Sequence, residues 1–268
     1  KTMKEDDVEK KSISRRNFLK TAGGAAVVAG LASTGIPMSA GTVQAADALP
    51  KKWDETVDVV VIGSGFAGLA AAIEAKEAGS SVVVYEKMPT HGGNSIINGG
   101  VMAVAGSDMQ ETRGIKDTPD LMLADMMKAG LYLNYPELAR MVAYESKPAY
   151  DWCKQHLGVK FTDPKMLLHM GGHTVARSCP TSIYSGAEIV NKELAKFKEL
   201  GGRISTGTYI EKLIQNSKGR IVGVQIRKGY RFPKADSGKV QYIKAKKAVV
   251  LGSGGFSQDV AFRMTQDP

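Results

Sequence analysis

Two cysteines, Cys153 and Cys179, are all that the 268 residues contain. That is too few for a disulfide framework or a four-thiolate metal site. No Cys-x-x-Cys-His occurs, so the chain has no covalent haem attachment. No apolar stretch reaches the ~20 residues that span a bilayer, which excludes stable membrane insertion. Internal repeats and low-complexity runs are absent beyond the N-terminal segment. The net charge of +9 is not gathered in one place: residues 1–45 carry +3 and the other +6 is spread along the rest. A nucleic-acid binder shows a clustered footprint instead, so no nucleic-acid partner is expected. With 43% hydrophobic and 24% charged residues, the chain is not chiefly disordered. Glycine is plentiful, at 30 residues, and clustered.

The clusters punctuate a recognisable order. Residues 12–20 read Ser-Ile-Ser-Arg-Arg-Asn-Phe-Leu-Lys, an apolar Gly/Ala-rich stretch comes next over 22–32, and Val43-Gln44-Ala45 supplies small residues at a cleavage point. This is the three-part layout of an export signal, and the Arg15-Arg16 pair resembles the twin-arginine type. The resemblance implies export of the folded protein, with any cofactor inside, to a bacterial periplasm. Residues 1–45 are therefore set apart from a domain over 46–268. The chain begins at Lys1 and stops at Pro268 after a strand-turn pattern, and both ends lead to the expectation of a fragment.

Val57 to Ile62 is a β-branched run suited to a buried parallel strand. Gly63-Ser64-Gly65-Phe66-Ala67-Gly68 comes at once, then an Ala-rich helical stretch from Leu69 to Ala78 ended by Gly79, then a second apolar run from Ser81 to Tyr85 closed by Glu86. Strand, G-x-G-x-x-G, helix, strand and acid together form a dinucleotide-binding unit. Gly63 permits the tight turn, Gly65 lets backbone approach a pyrophosphate, and Gly68 lets helix and strand pack closely. The helix start offers N–H groups and partial positive charge to phosphate. Glu86, 21 residues past Gly65, can accept from ribose hydroxyls and disfavours a 2′-phosphate, hence NADP.

The next segment separates FAD from NAD. Plain NAD domains run on into a helix, whereas here Gly92-Gly93-Asn94-Ser95 and Asn98-Gly99-Gly100 make a second glycine-rich loop, which lets backbone approach a large planar ligand. This pattern resembles the flavoprotein family of fumarate reductases, and the resemblance extends from Val57 to Phe256. It includes 117–122 (Asp-Thr-Pro-Asp-Leu-Met), 126–130, 134–138 (Asn-Tyr-Pro-Glu-Leu), Asp151-Trp152, Met170-Gly171-Gly172, Arg177-Ser178 and the closing Val249 to Phe256. The soluble periplasmic members, which act on fumarate, urocanate or methacrylate with electrons from c-type cytochromes, look most similar.

The resemblance implies an α/β fold: a Rossmann-type, glutathione-reductase-like FAD-binding domain with a helical insertion and a β-meander, its capping domain missing. It implies reduction of the C=C bond of a small unsaturated carboxylate, with a separate periplasmic c-type cytochrome as electron donor. It places Gly63, Gly65, Ala67 and Gly68 at the FAD pyrophosphate and Glu86 at the adenosine ribose. Asn94, Ser95, Gly99 and Gly100 lie along the flavin and its phosphates, and Ile210 near the adenine. Membrane-complex relatives attach FAD to a histidine at the position of Gly93; His91 is out of register, so the FAD is expected to be non-covalent. The carboxylate-clamping His and Arg residues of the family lie in motifs that do not occur before Pro268, so no catalytic residue is assigned and the chain alone is expected not to turn over. Two alternatives stand beside this reading: another FAD dehydrogenase or oxidase, of ketosteroid dehydrogenase or amino-acid oxidase type, and a non-catalytic flavin carrier.

Between the glycine loops and the chain end, residues 118–157 read as helices. Thr118 or Asp117 is an N-cap and Pro119 sits in the first turn, while Pro136 opens the second helix. A further helix runs from Ser185 to Leu200. Strand patterns come next over 203–206, 209–215, 221–228 and 241–244, separated by turns, and form the meander before the last parallel strand. His169 and His173 are four apart, but Gly171-Gly172 between them opposes a helical metal pair, and no third ligand is evident. His173 reads equally as a neighbour of the flavin or substrate cleft and as an ordinary loop histidine. Cys179, next to Pro180, has no adjacent base or activating signature and reads as a structural thiol.

Overall fold

The computed structural model describes residues 49–257 and 259–265. The signal expected over 1–45 lies outside them, and every element of the fold belongs to the unit Ala46–Pro268. Strand β1 (Glu55–Ile62) leads into helix α1 (Phe66–Glu77) and β2 (Val82–Tyr85). Then come a short α2 (Gly93–Ile97), β3 (Val101–Ala103) and α3 (Asp108–Thr112). The helical insertion is α4 (Pro119–Ala129) and α5 (Pro136–Asp151), the latter running into a π-turn over Trp152–His156. After β4 (Ser178–Pro180) and α6 (Ala187–Glu199) the chain enters β5 (Arg203–Ser205), β6 (Thr208–Gln215), β7 (Ile221–Lys228) and β8 (Lys239–Leu251), and then α7 (Val260–Met264).

The main sheet has the order β5-β2-β1-β8-β7-β6. Its first four strands are parallel, and β8-β7-β6 is an antiparallel meander. β1 explains the layering. Its run of β-branched residues is buried on both faces: Val59 and Val61 point with Val82 and Val84 into a core shared with α1 and α6. Val57, Val60 and Ile62 point the other way, with Val83 and Tyr85, toward Val224, Ile226 and Ile243. Double-sided burial is what a parallel strand requires, and the continuous valines supply it. α1 buries Gly68, Leu69, Ala72 and Ile73, and its alanines let it lie close to the sheet.

β8 differs from the expectation. The meander strand expected over 241–244 and the last parallel strand near 249–251 are one strand. Residues 239–244 pair with β7 and 243–251 pair with β1. A register shift opposite Val57/Val59 absorbs the exposed Lys246-Lys247, so the charged pair bulges outward without breaking the ladder.

In the insertion, Thr118 Oγ1 accepts from Leu121 N–H at 3.1 Å and Pro119 starts α4, as the sequence predicts. β3 and β4 form a small antiparallel pair, and a capping box of Ser107 and Gln110 opens α3. Among the described residues, no helix is long and apolar enough to cross a membrane.

Candidate functional site

The C-terminal ends of the parallel strands converge at the first glycine loop, where open α/β sheets place their ligands. The loop is built on close backbone approach. Gly63 has φ +94°, and a Cβ on it would lie 2.4 Å from the Gly252 carbonyl oxygen. A Cβ on Gly68 would fall 2.0 Å from the Gly63 oxygen. The ends of β1 and β8 and the start of α1 therefore meet at three glycines, and Gly252 N–H donates to Ile62 C=O at 2.8 Å.

α1 is capped by Gly65, which has no side chain to accept the first-turn amides. Phe66 N–H instead donates to Ser95 Oγ at 3.1 Å. Ala67 is exposed at this helix start. The arrangement presents backbone N–H groups and the positive end of a 12-residue helix to an anion.

Glu86 is buried at the end of β2. Its Oε2 accepts from Ser64 N–H at 3.0 Å and from Ser64 Oγ–H at 2.6 Å, and its Oε1 accepts from Met88 N–H at 2.9 Å. Ser64 Oγ in turn accepts from Gly92 N–H at 2.9 Å, which ties the first glycine loop to the second. Glu86 N–H donates to Ser205 C=O at 3.0 Å, and its C=O accepts from Thr208 N–H at 2.8 Å.

The second loop folds back over the start of α1. Asn94 and Gly99 are exposed beside it. Gly93 and Gly99 face open space, so a ligand can approach their backbone. Gly100 is buried: a Cβ there would meet the Ser185 backbone at 2.4 Å, its N–H donates to Asn98 Oδ1 at 2.7 Å and its C=O accepts from Thr181 N–H at 2.8 Å. Gly100 thus seats the loop on the turn before α6. Ile210 lies in β6 opposite Ile226 with its side chain against the core, two residues past the Thr208 amide that engages Glu86.

The structure therefore brings Gly63, Gly65, Ala67, Gly68, Glu86 and Ser95 together, with Asn94, Gly99 and Gly100 on the adjoining loop and Ile210 at the margin. The residue that sequence reasoning passed over is Ser64, the variable position of the glycine motif. A hydroxyl-bearing residue there, with an acid past the next strand, was the available signal. The cradle fits FAD: the N-cap residue of α1 has no side chain and the glycine loops leave backbone open to a ligand.

A second buried polar cluster holds the insertion. Arg177 is fully buried; it donates to Asp117 at 2.9 and 3.0 Å and to Asp125 at 2.6 Å. Gln110 Nε2 donates to Asp117 and to the Ala176 carbonyl, each at 2.8 Å. Burial works against ionisation of Asp125, but hydrogen bonds from Thr174 and Arg177 outweigh it and hold the carboxyl below its ordinary range. Burial and the neighbouring Arg177 pull His173 below the usual histidine range. His169 Nε2–H donates to the His173 carbonyl at 2.6 Å, so the two rings do not converge as a ligand pair. Among the described residues, no three His, Cys, Asp or Glu side chains gather to hold a metal. Cys179 is buried and its thiol is pushed up to about 11 by burial, which makes it a poor nucleophile.

Residues 12–32 match the twin-arginine translocation pathway signal sequence, which directs the folded protein to the periplasm. Among curated relatives, the chain is 40% identical to an acrylate reductase flavoprotein subunit of Shewanella woodyi, covering 96% of this chain and 49% of that protein. It is 33% identical to a urocanate reductase of Eggerthella lenta, covering 82% of this chain and 35% of that protein. It is 35% identical to a fumarate reductase (cytochrome) of Shewanella frigidimarina over 76% of this chain and 34% of that protein. The chain thus spans half or less of the length of these relatives. Among solved structures, the open conformation of a flavocytochrome c3 fumarate reductase superposes with a TM-score of 0.69 at 29% identity, over 80% of this chain and 37% of that one. A 3-ketosteroid dehydrogenase of Rhodococcus jostii superposes with a TM-score of 0.65 at 24% identity, over 78% of this chain and 48% of that one, a likeness of fold alone. Residues 58–268 match the FAD binding domain, and with the glycine cradle this settles both cofactor and family: the chain belongs to the FAD binding domain family of flavoproteins.

Proposed function

We propose that this protein is a periplasmic reductase that saturates the C=C bond of a small α,β-unsaturated carboxylate, with electrons delivered by a c-type cytochrome. The observation that carries this reading is the 40% identity to an acrylate reductase flavoprotein subunit along 96% of the chain, glycine loops included. The cytochrome is supported by the names of the Shewanella frigidimarina relative and the flavocytochrome c3 structure. Residues 1–45 serve as the export signal and 46–268 as the FAD-binding domain. The likeness to a ketosteroid dehydrogenase is one of fold and does not carry that chemistry to this chain.

Bound flavin supplies the two-electron redox chemistry. The chain's own task is to hold and orient it. Gly63, Gly65, Ala67 and Gly68 bring backbone amides and the α1 N-terminus to the pyrophosphate, and Glu86 accepts from the adenosine ribose. Asn94, Ser95, Gly99 and Gly100 bound the flavin side, and Ile210 lies toward the adenine. His91 and Gly93 leave no histidine in register for a covalent link, so the flavin is held without a bond and acid precipitation releases it.

The test is anaerobic oxidation of reduced methyl viologen by the intact protein with acrylate, methacrylate, fumarate and urocanate in parallel. Reduction of one acid well above the others is the expected result. Failure to reduce any of them, with FAD bound, overturns the proposed activity.

A further inference from the structure

We propose that Ser64 is a positioning residue that turns the Glu86 carboxylate toward the adenosine ribose and locks the two glycine loops in register. The inference rests on the reading that Glu86 receives the ribose.

Ser64 is fully buried, and its hydroxyl both donates and accepts. A serine hydroxyl has one proton and two lone pairs. Here the proton goes to Glu86 Oε2 at 2.6 Å, and a lone pair takes Gly92 N–H at 2.9 Å. The Ser64 backbone N–H reaches the same Oε2 at 3.0 Å. Both donors on Oε2 thus come from one residue. Oε1 accepts only Met88 N–H, at 2.9 Å, among the described residues. A carboxylate has about four acceptor sites. Ser64 fills those of Oε2 and leaves an acceptor site on Oε1 for a ribose hydroxyl.

The same hydroxyl spans 22 residues to Glu86 and 28 to Gly92, joining three segments that reach the site separately. Removing the hydroxyl therefore takes one of the two donors from Oε2, leaving the Ser64 backbone N–H alone there, and cuts the tie to Gly92 N–H at the start of the loop carrying Asn94 and Ser95. Charge-assisted hydrogen bonds of this length are the stronger kind, so the effect on a ligand that reads Glu86 is roughly tenfold or more.

The experiment strips FAD from the intact protein and measures competition by ADP and by 2′,3′-dideoxy-ADP against FAD rebinding, monitored by flavin fluorescence. The unchanged protein is expected to prefer ADP over the dideoxy form by about tenfold or more. Ser64→Ala is expected to shrink that preference below about threefold, Ser64→Thr to retain it, and Ser64→Ala to add nothing to Glu86→Gln. Should Ser64→Ala fail to fold, Ser64→Cys, which keeps the side-chain connectivity and weakens the donor, is read in the same way. If Ser64→Ala weakens both nucleotides equally and leaves their ratio unchanged, the residue is merely structural and the proposal falls. If the unchanged protein does not distinguish the two nucleotides, or Glu86→Gln leaves FAD affinity unchanged, the ribose reading itself falls.

Discussion

Glu193 offers the sharpest test of how the helical layer packs on the sheet. It lies on α6, is 2% exposed, and its Oε2 has no hydrogen-bond partner. Burial pushes its carboxyl from an ordinary 4.5 up to about 9. The folded protein therefore keeps the proton through a range in which the unfolded chain has lost it. With fewer protons on the unfolded chain, stability falls as pH rises. The contribution is fully favourable below the unfolded value and is lost progressively up to the folded one. Inside that window the slope is about 1.4 kcal/mol per pH unit, so from pH 5 to pH 8 the cost approaches about 4 kcal/mol.

Glu193→Gln keeps the shape and removes the titration. The variant should match the unchanged protein near pH 5 and exceed it by a margin that widens with each pH unit to pH 8. Urea unfolding of both proteins at pH 5, 6, 7 and 8 gives that difference directly, with the slope m checked for constancy. Parallel stability curves across the range would refute the reasoning, because they would mean that Glu193 ionises in the folded state without cost.

Arg177→Met leaves Asp117 and Asp125 buried without their shared cation, and should cost about 3–5 kcal/mol by chemical denaturation; a loss under about 1 kcal/mol would show that the cluster hydrates freely. Gly68→Ala puts a Cβ 2.0 Å from the Gly63 oxygen and should lower both stability and flavin content, whereas Gly99→Ala, with open space around it, should leave the melting temperature of the flavin-free protein unchanged. Cys153 and Cys179 are free and buried, their thiols pushed up to about 12 and about 11 by burial, so neither should react with a disulfide reagent at pH 8 until denaturant is added; fast labelling of native protein contradicts that burial.

The legible part of the sequence was local. The valines of β1, the glycine motif and the Ala-rich α1 succeed one another without interruption, and each obeys a short-range rule. Glu86 was singled out by spacing, because a strand–helix–strand unit has a narrow range of lengths. β8 was read as two pieces, and only the pairing with β1 shows that a bulge at Lys246-Lys247 joins them. The β3–β4 pair joins residues 101–103 to 178–180, too short for any periodicity to announce. Arg177 was noticed only as part of a resemblance. Arginine is a surface residue by composition, and the two aspartates that bury it lie 60 and 52 residues away.

That distant pairing bears on the site. β4 comes directly after Arg177 and pairs with β3, which comes directly after Gly100. Gly100 C=O accepts from Thr181 N–H at the far end of β4, at 2.8 Å. The second glycine loop is therefore fixed from both sides: Ser64 ties its start to the Rossmann core, and β4, anchored by Arg177 against Asp117 and Asp125, ties its end to the insertion. A site made largely of backbone depends on how its loops are held, and here Ser64 holds one end and Arg177, through β4, the other. Those two are single polar residues joining distant segments, which is why the sequence offered glycines and spacing as candidates while the residues that hold the loops became visible only in three dimensions.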